Sequence, residues 1–196
     1  MTRPERSLRE RQAQQVRTAV LEAVIAELER KALDDVSMAD VAQSAGISLR
    51  TLYRYFPDRP ALLHAAGEHI YRTLGVPFDI SGPEEISASF LEAARRLSTR
   101  PELTRALVQT TAGRALRSGV RGQRVQAISA ALKPVTDGLD ADTARWVGAV
   151  VAHLCSAASW VMIADESGLG EADAQRAVAW AIDTLISTLR PEQENS

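Results

Sequence analysis

Residues 37–62, SMADVAQSAGISLRTLYRYFPDRPAL, confine the folding choices of this chain more tightly than any other stretch. Ser37 is a helix N-cap, because its hydroxyl accepts one of the backbone N–H groups that a first turn leaves unpaired. Asp40, three residues on, completes a variant capping box with its carboxylate at the positive helix end. Val41, Ala42 and Ala45 give the helix a small apolar face. Gly46 then supplies a left-handed backbone position that stops it, and Ile47 turns toward the core. Ser48 caps a second helix in which Leu52 and Phe56, at i and i+4, point inward. Two caps around one glycine specify a helix-turn-helix.

The outward face of the second helix carries Arg50, Thr51, Tyr53, Arg54 and Tyr55. A helix that only meets water usually shows Glu, Lys and Gln, whereas guanidinium, hydroxyl and phenol groups suit phosphate oxygens and base edges. The expected partner is double-stranded DNA. Ser48, Leu49 and Arg50 stand at the helix start, where base edges come within reach, and Arg50 can pair bidentately with a guanine. Ser37 adds a phosphate contact at a helix N-terminus.

The formal charge of −2 over 196 residues excludes a wholesale polyanion binder, so nucleic-acid affinity must come from a local patch. Arg3, Arg6, Arg9, Arg11 and Arg17, against Glu5 and Glu10, place a positive arm just ahead of the helix-turn-helix. An Ala-rich sequence with little β-branched or aromatic alternation predicts an all-α fold. The lone Cys155 has no partner for an internal disulfide, and nothing adjacent in sequence lowers its pKa, which disfavours a redox role. A reducing cytoplasm fits, and the polar, Arg-rich start lacks the apolar segment of a secretory signal. Residues 146–164 lack any Asp, Glu, Lys or Arg and have the length of a membrane span, but His153, Cys155, two Ser and Gly148 make a buried bundle helix the better reading.

Along the chain, residues 1–9 read as a flexible basic arm and residues 10–56 as the helix-turn-helix domain. Its first helix spans 10–32, with Val16, Val20, Ala23, Val24 and Leu28 on one face, followed by a link through Asp34, Asp35 and Val36. A connecting helix over 57–74 is capped by Asp58, with Pro60 tolerated in its first turn. The Gly- and Pro-rich GVPFDISGP marks an elbow that opens a C-terminal domain over 75–190. There the spacing predicts helices at 83–99, 101–116 and 122–139, with a turn at Ser118, Gly119 and Gly122 and a bend or end at Pro134. A helix from an Asp142 cap to residue 164 and another over 172–189 follow, Pro191 stops the last, and residues 191–196 form a tail.

The run Thr51-Leu52-Tyr53-Arg54-Tyr55-Phe56, followed by Arg59 and Leu62, resembles the signature of TetR-type transcriptional regulators. The likeness covers about residues 16–63; beyond it only helical layout and length agree. Two positions depart from the family pattern: Ala32 stands where the first helix often ends on Gly, and Arg59-Pro60 where Lys-Glu is common. The resemblance implies an N-terminal DNA-binding domain and a C-terminal antiparallel helical domain for ligand binding and dimerisation. It assigns phosphate and groove contacts to Thr51, Tyr53, Tyr55 and Arg59 by matching position, and it implies a bacterial repressor.

A homodimer would set two reading helices in successive major grooves, roughly 34 Å apart, on a palindromic operator. Val178, Ile182, Leu185 and Leu189 form an apolar stripe expected at the dimer interface. Phe90, Leu103, Leu107, Thr111, Trp146, Val150, His153 and Trp160 are the candidates for an effector pocket, an apolar cavity with a few polar handles for a hydrophobic or amphipathic small molecule. An alternative is a C-terminal domain that docks another protein and takes no small ligand. No nucleophile elbow, phosphate loop or metal-spaced pair is present, and His64, His69 and His153 are scattered, so neither catalysis nor a cofactor is expected.

Overall fold

The computed structural model describes residues 8–30 and 37–189, which form ten α-helices, one short 3-10 turn and no strand. Most of the basic arm, the predicted helix end at Ala32, the 34–36 link and the tail after Pro191 lie outside the described residues. The N-terminal helices are α1 (Leu8–Arg30), α2 (Met38–Ser44), α3 (Leu49–Tyr55) and α4 (Arg59–Thr73). Val20, Val24 and Leu28 of α1 are buried with Val41 of α2, Leu52 and Phe56 around α3, and Leu62 and Leu63 of α4. A short helix pair cannot bury enough apolar surface alone, so α1 and α4 supply the rest of that core.

α4 belongs to both halves of the molecule. On one side His69 is buried, its Nε2 lying 2.5 Å from Glu22 Oε1 of α1 while its Nδ1 lies 3.0 Å from an Arg72 guanidinium nitrogen. On the other side α4 packs most extensively against α7 (Thr111–Thr136). The approach is backbone to backbone: a Cβ on Gly67 would sit 2.0 Å from the carbonyl oxygen of Leu116. The end of α4 is held by α5 (Ile86–Leu97), where Arg96 donates to the Leu74 carbonyl at 3.2 Å. Glu92 steers that guanidinium, and hydrogen bonds from Arg95 and Arg96 hold its carboxyl down at about 2. A second bridge joins the halves where Arg100 donates twice to Glu29 of α1, at 2.9 and 2.6 Å.

Helix boundaries in the C-terminal half differ from the sequence reading at four places. α6 (Pro101–Gln109) ends at Thr110, which ends one helix and caps the next: its hydroxyl donates to the Ala106 carbonyl at 2.7 Å and accepts from Gly113 N–H at 2.8 Å. Ser118, Gly119 and Gly122, expected to form a turn, lie inside the 26-residue α7, and Pro134 lies near its end. A glycine costs a helix only about 1 kcal/mol, which packing readily outweighs. Asp140, and not Asp142, caps α8 (Ala141–Leu154), accepting from the N–H groups of Asp142 and Thr143 at 3.1 and 3.0 Å. The expected run to residue 164 breaks at Cys155 and Ser156, and α9 (Ala157–Ser167) leaves at 65° to α8. No single described helix is long and apolar enough to cross a membrane.

The last helix, α10 (Glu171–Thr188), corrects the interface expectation. Val178 and Ile182 are 1% and 0% exposed within the single chain, and Leu185 and Leu189 pack partly buried against the same core. Their stripe is spent on neighbours in the same chain, α5 and α9. The outward side of α10 presents Trp180, 70% exposed.

Two glycines of the α4–α7 region test this packing. Gly67→Ala should lower stability by about 1–3 kcal/mol, because backbone must move to admit the methyl group. Gly122→Ala, with nothing within 4 Å of the new Cβ, should instead raise it by up to about 1 kcal/mol. Urea titrations at one fixed protein concentration check both signs.

Candidate nucleic-acid interface

The geometry of the reading unit follows from its caps. Ser37 Oγ accepts from Asp40 N–H at 3.1 Å while Asp40 Oδ2 accepts from Ser37 N–H at 3.3 Å, so the box closes in both directions. Gly46 adopts φ +66°, the left-handed conformation that lets α2 stop and the chain reverse within two residues. Ser48 Oγ then accepts from Thr51 N–H at 3.1 Å and shares a 2.8 Å hydrogen bond with the Thr51 hydroxyl. Leu52, fully buried, and Phe56 clamp α3 from beneath. Arg17 of α1 lies over the Phe56 ring at 4.7 Å, adding a cation–π contact to the clamp.

With its inner face fixed, α3 turns the other side chains outward. Ser48, Leu49, Arg50, Tyr53 and Arg54 are exposed, and Thr51 and Tyr55 are half-buried. Tyr53 is 47% and Leu49 41% exposed, unusual for large apolar bodies on a helix of seven residues. Arg54 lies 5.4 Å from the Tyr55 ring, which orients both along one edge. Arg50 makes no ion pair among the described residues. Arg59 opens α4 half-buried, directly after the Asp58 cap, which accepts from Ala61 N–H at 2.7 Å. Ser37 is exposed at the start of α2. The eight residues named from sequence thus sit on α3 and on the starts of its two neighbours.

The pocket residues named from sequence are not brought together. Phe90 lines a cavity between α4, α5 and α7, together with Tyr71, Phe78, Ile86, Arg124 and Cys155. Leu103 and Leu107 are fully buried core residues elsewhere, and Thr111 is exposed at the start of α7. Trp146, Val150 and His153 are exposed, because α8 turns Val147 and Val151 inward and these three therefore point out. Trp160 is buried beside a separate cleft with Thr104 and Arg105. Tyr71, Phe78 and Arg124 were missed; the polar pair of them was legible only as a Tyr and an Arg on apolar-faced helices. Burial pushes the Cys155 thiol up to about 12 despite the nearby Arg124 charge, which keeps it protonated and unreactive.

The model of the family described as bacterial regulatory proteins, tetR family, matches residues 20–66, a span from the buried half of α1 into α4. No curated protein matches the sequence. Solved structures agree over nearly the whole chain. A TetR transcriptional regulator from Rhodococcus sp. RHA1 is 24% identical with a TM-score of 0.56, covering 91% of this chain and 100% of that one. NalD, the secondary repressor of the MexAB-OprM multidrug efflux pump in Pseudomonas aeruginosa, is 15% identical with a TM-score of 0.59, covering 94% of this chain and 100% of that one. A TetR variant from Acinetobacter baumannii AYE in complex with minocycline is 20% identical with a TM-score of 0.55, covering 86% and 93% of the respective chains. Identities this low speak for the fold, while the family model speaks for the reading domain. Residues 20–66, which hold the twice-capped α3, thus match the model of the bacterial regulatory proteins of the tetR family, and the ten-helix frame around them is the fold of solved TetR-type regulators.

Proposed function

We propose that the protein is a dimeric repressor that reads a palindromic operator through α3 and leaves it when a small amphipathic molecule enters the C-terminal domain. The observation that carries the DNA reading is the outward row of α3: an exposed Arg50 and Tyr53 held on a helix whose inner face is fully buried. Ser48, Leu49 and Arg50 address base edges, while Thr51, Tyr53, Tyr55, Arg59 and Ser37 address phosphate and groove walls. Phosphate contacts fix register and Arg50 adds sequence preference.

The dimer is supported by apolar surface that one chain leaves uncovered. Trp146 and Val150 on α8 are 59% and 49% exposed, and Trp180 on the adjoining α10 is 70% exposed. Water-facing tryptophans on two touching helices fit a second copy related by two-fold symmetry. Such a dimer ties the distance between reading helices to the packing of each α4 on its C-terminal domain. An effector that binds one spacing better than the other then shifts DNA occupancy.

The support for an effector is that α4 carries a buried cavity residue, Tyr71, two positions from His69, its bond to α1. Minocycline binds the Acinetobacter relative, which makes ligand response a reasonable expectation for the same fold here.

DNA fragments upstream of the protein's own coding sequence should be protected in a footprint, and affinity should fall steeply with salt. In gel shifts Tyr53→Phe should cost about 1 kcal/mol on every sequence it binds. Arg50→Ala should cost about 1–3 kcal/mol and relax preference at one base pair per half-site. Unchanged affinity for both variants would remove α3 from the interface. Trp180→Arg should yield monomers by light scattering with the helical content retained; a persistent dimer would move the interface off α10.

A further inference from the structure

Three polar atoms are buried around the junction of α4 and α7 without a protein hydrogen-bond partner: Tyr71 Oη, Arg124 Nε and Arg117 Nε. Tyr71 is only 3% exposed, and together with Arg124 it lines the cavity that also contains Phe78, Ile86, Phe90 and Ile128. No Asp or Glu lines that cavity, and neither arginine has an ion pair among the described residues. This arrangement is costly as it stands. A guanidinium taken out of water is normally matched by a carboxylate, and a buried phenol by an acceptor. Burial lowers the pKa of both arginines and raises that of Tyr71, the phenol shift being partly offset by the two guanidinium charges. Tyr71 and the half-buried Arg124 therefore bring two unpartnered donors and a positive charge to a cavity lined by no carboxylate, with Arg117 nearby on α7.

We infer that this cavity is a receptor for an amphipathic carboxylic acid, with the carboxylate on Tyr71 Oη–H and the Arg124 guanidinium and the hydrocarbon against Ile86, Phe90 and Ile128. The inference rests on the regulator reading above and names the chemistry of its effector. A carboxylate accepts from both orphaned donors at once and neutralises the buried charge. An alcohol satisfies the donors but not the charge, and an amine repels it.

The cavity has a volume of about 30 Å³, so it accommodates little more than a water-sized guest. Its outer wall is the Tyr71–Phe78 ring pair, with centroids 6.1 Å apart, and the irregular segment after α4 that carries Val76 and Phe78. Tyr71, Val76 and Phe78 also line an open cleft of about 520 Å³ on the far side of that wall. A hydrocarbon against Ile86, Phe90 and Ile128 needs more than 30 Å³, and outward displacement of the Phe78 ring, which lines both spaces, would enlarge the inner one toward that cleft, whose rim carries Glu68 and Arg72. The same displacement acts on α4 through Tyr71, and through His69 and Glu22 on α1, so a bound acid favours a different seat of the reading domain.

The test is calorimetric and thermal titration of the 196-residue protein with hexanoate, octanoate and decanoate, beside 1-octanol and octylamine. At least one acid should bind saturably and raise the melting temperature, at least tenfold more tightly than the matched alcohol, with the amine weaker still. Arg124→Met should raise the melting temperature of the unliganded protein, since it removes an unmatched buried charge, and lower affinity for the acid at least tenfold. Tyr71→Phe, which keeps the ring, should weaken the acid several-fold and gives the readout if Arg124→Met does not fold. Equal binding of octanol or octylamine, unaltered acid affinity in both variants, or no saturable acid overturns the assignment. A gel shift on the protected upstream fragment separates the two readings. No acid binding with DNA still retained sinks the site alone. Acid binding through Arg124 with DNA occupancy unchanged keeps the site and sinks its role as the release switch.

Discussion

The close approach of α4 and α7 is the constraint on which the rest of the molecule depends. At Gly67 the two backbones meet with no space for a methyl group, so α4 cannot slide or rotate on the C-terminal domain without breaking dense packing. The same helix is bonded to α1 through His69 and Glu22, and its C-terminal end is held by Arg96. A rigid rod fixed at two places transmits displacement rather than absorbing it. The reading helix α3, clamped against α1 and α4 by Leu52 and Phe56, therefore moves with α4 as one body.

In the dimeric repressor we propose, affinity and control are separate. Affinity would reside in short-range chemistry, the exposed Arg, Tyr and hydroxyl groups of α3, which the N-terminal core only has to hold still. Control would reside in the distance between two such units, which no residue of α3 can set. Small changes in a packed interface suffice, because well-packed elements shift between discrete seats rather than deforming continuously. The unmatched Tyr71 and Arg124 lie on the two helices whose packing decides that seat.

Legibility in the sequence followed the range of the interactions concerned. The capping box at Ser37, the Ser48 cap and the reversal at Gly46 are contacts within three or four residues, and each stands where local spacing put it. Thr110 escaped notice because its double capping role depends on backbone on both sides, whereas Gly119 and Gly122 attracted a turn that tertiary packing overrides. The break at Cys155 and Ser156 lay hidden in an uninterrupted apolar run, and with it the outward orientation of Trp146, Val150 and His153. The Val178–Ile182 stripe was read correctly as apolar, but periodicity cannot distinguish a face turned to a partner chain from one turned to the chain's own core.

By itself the sequence determined the all-helical class, the caps of α2 and α3 and which side chains of α3 face outward, because caps, helical period and a left-handed glycine act over a single turn. Only the tertiary structure decided which apolar stripe is spent internally, which tryptophans remain outside, and that Tyr71 of α4 meets Arg124 of α7. Those outcomes are set by helix packing between separate elements, Tyr71 and Arg124 standing 53 positions apart, and no local rule of spacing specifies which faces will meet.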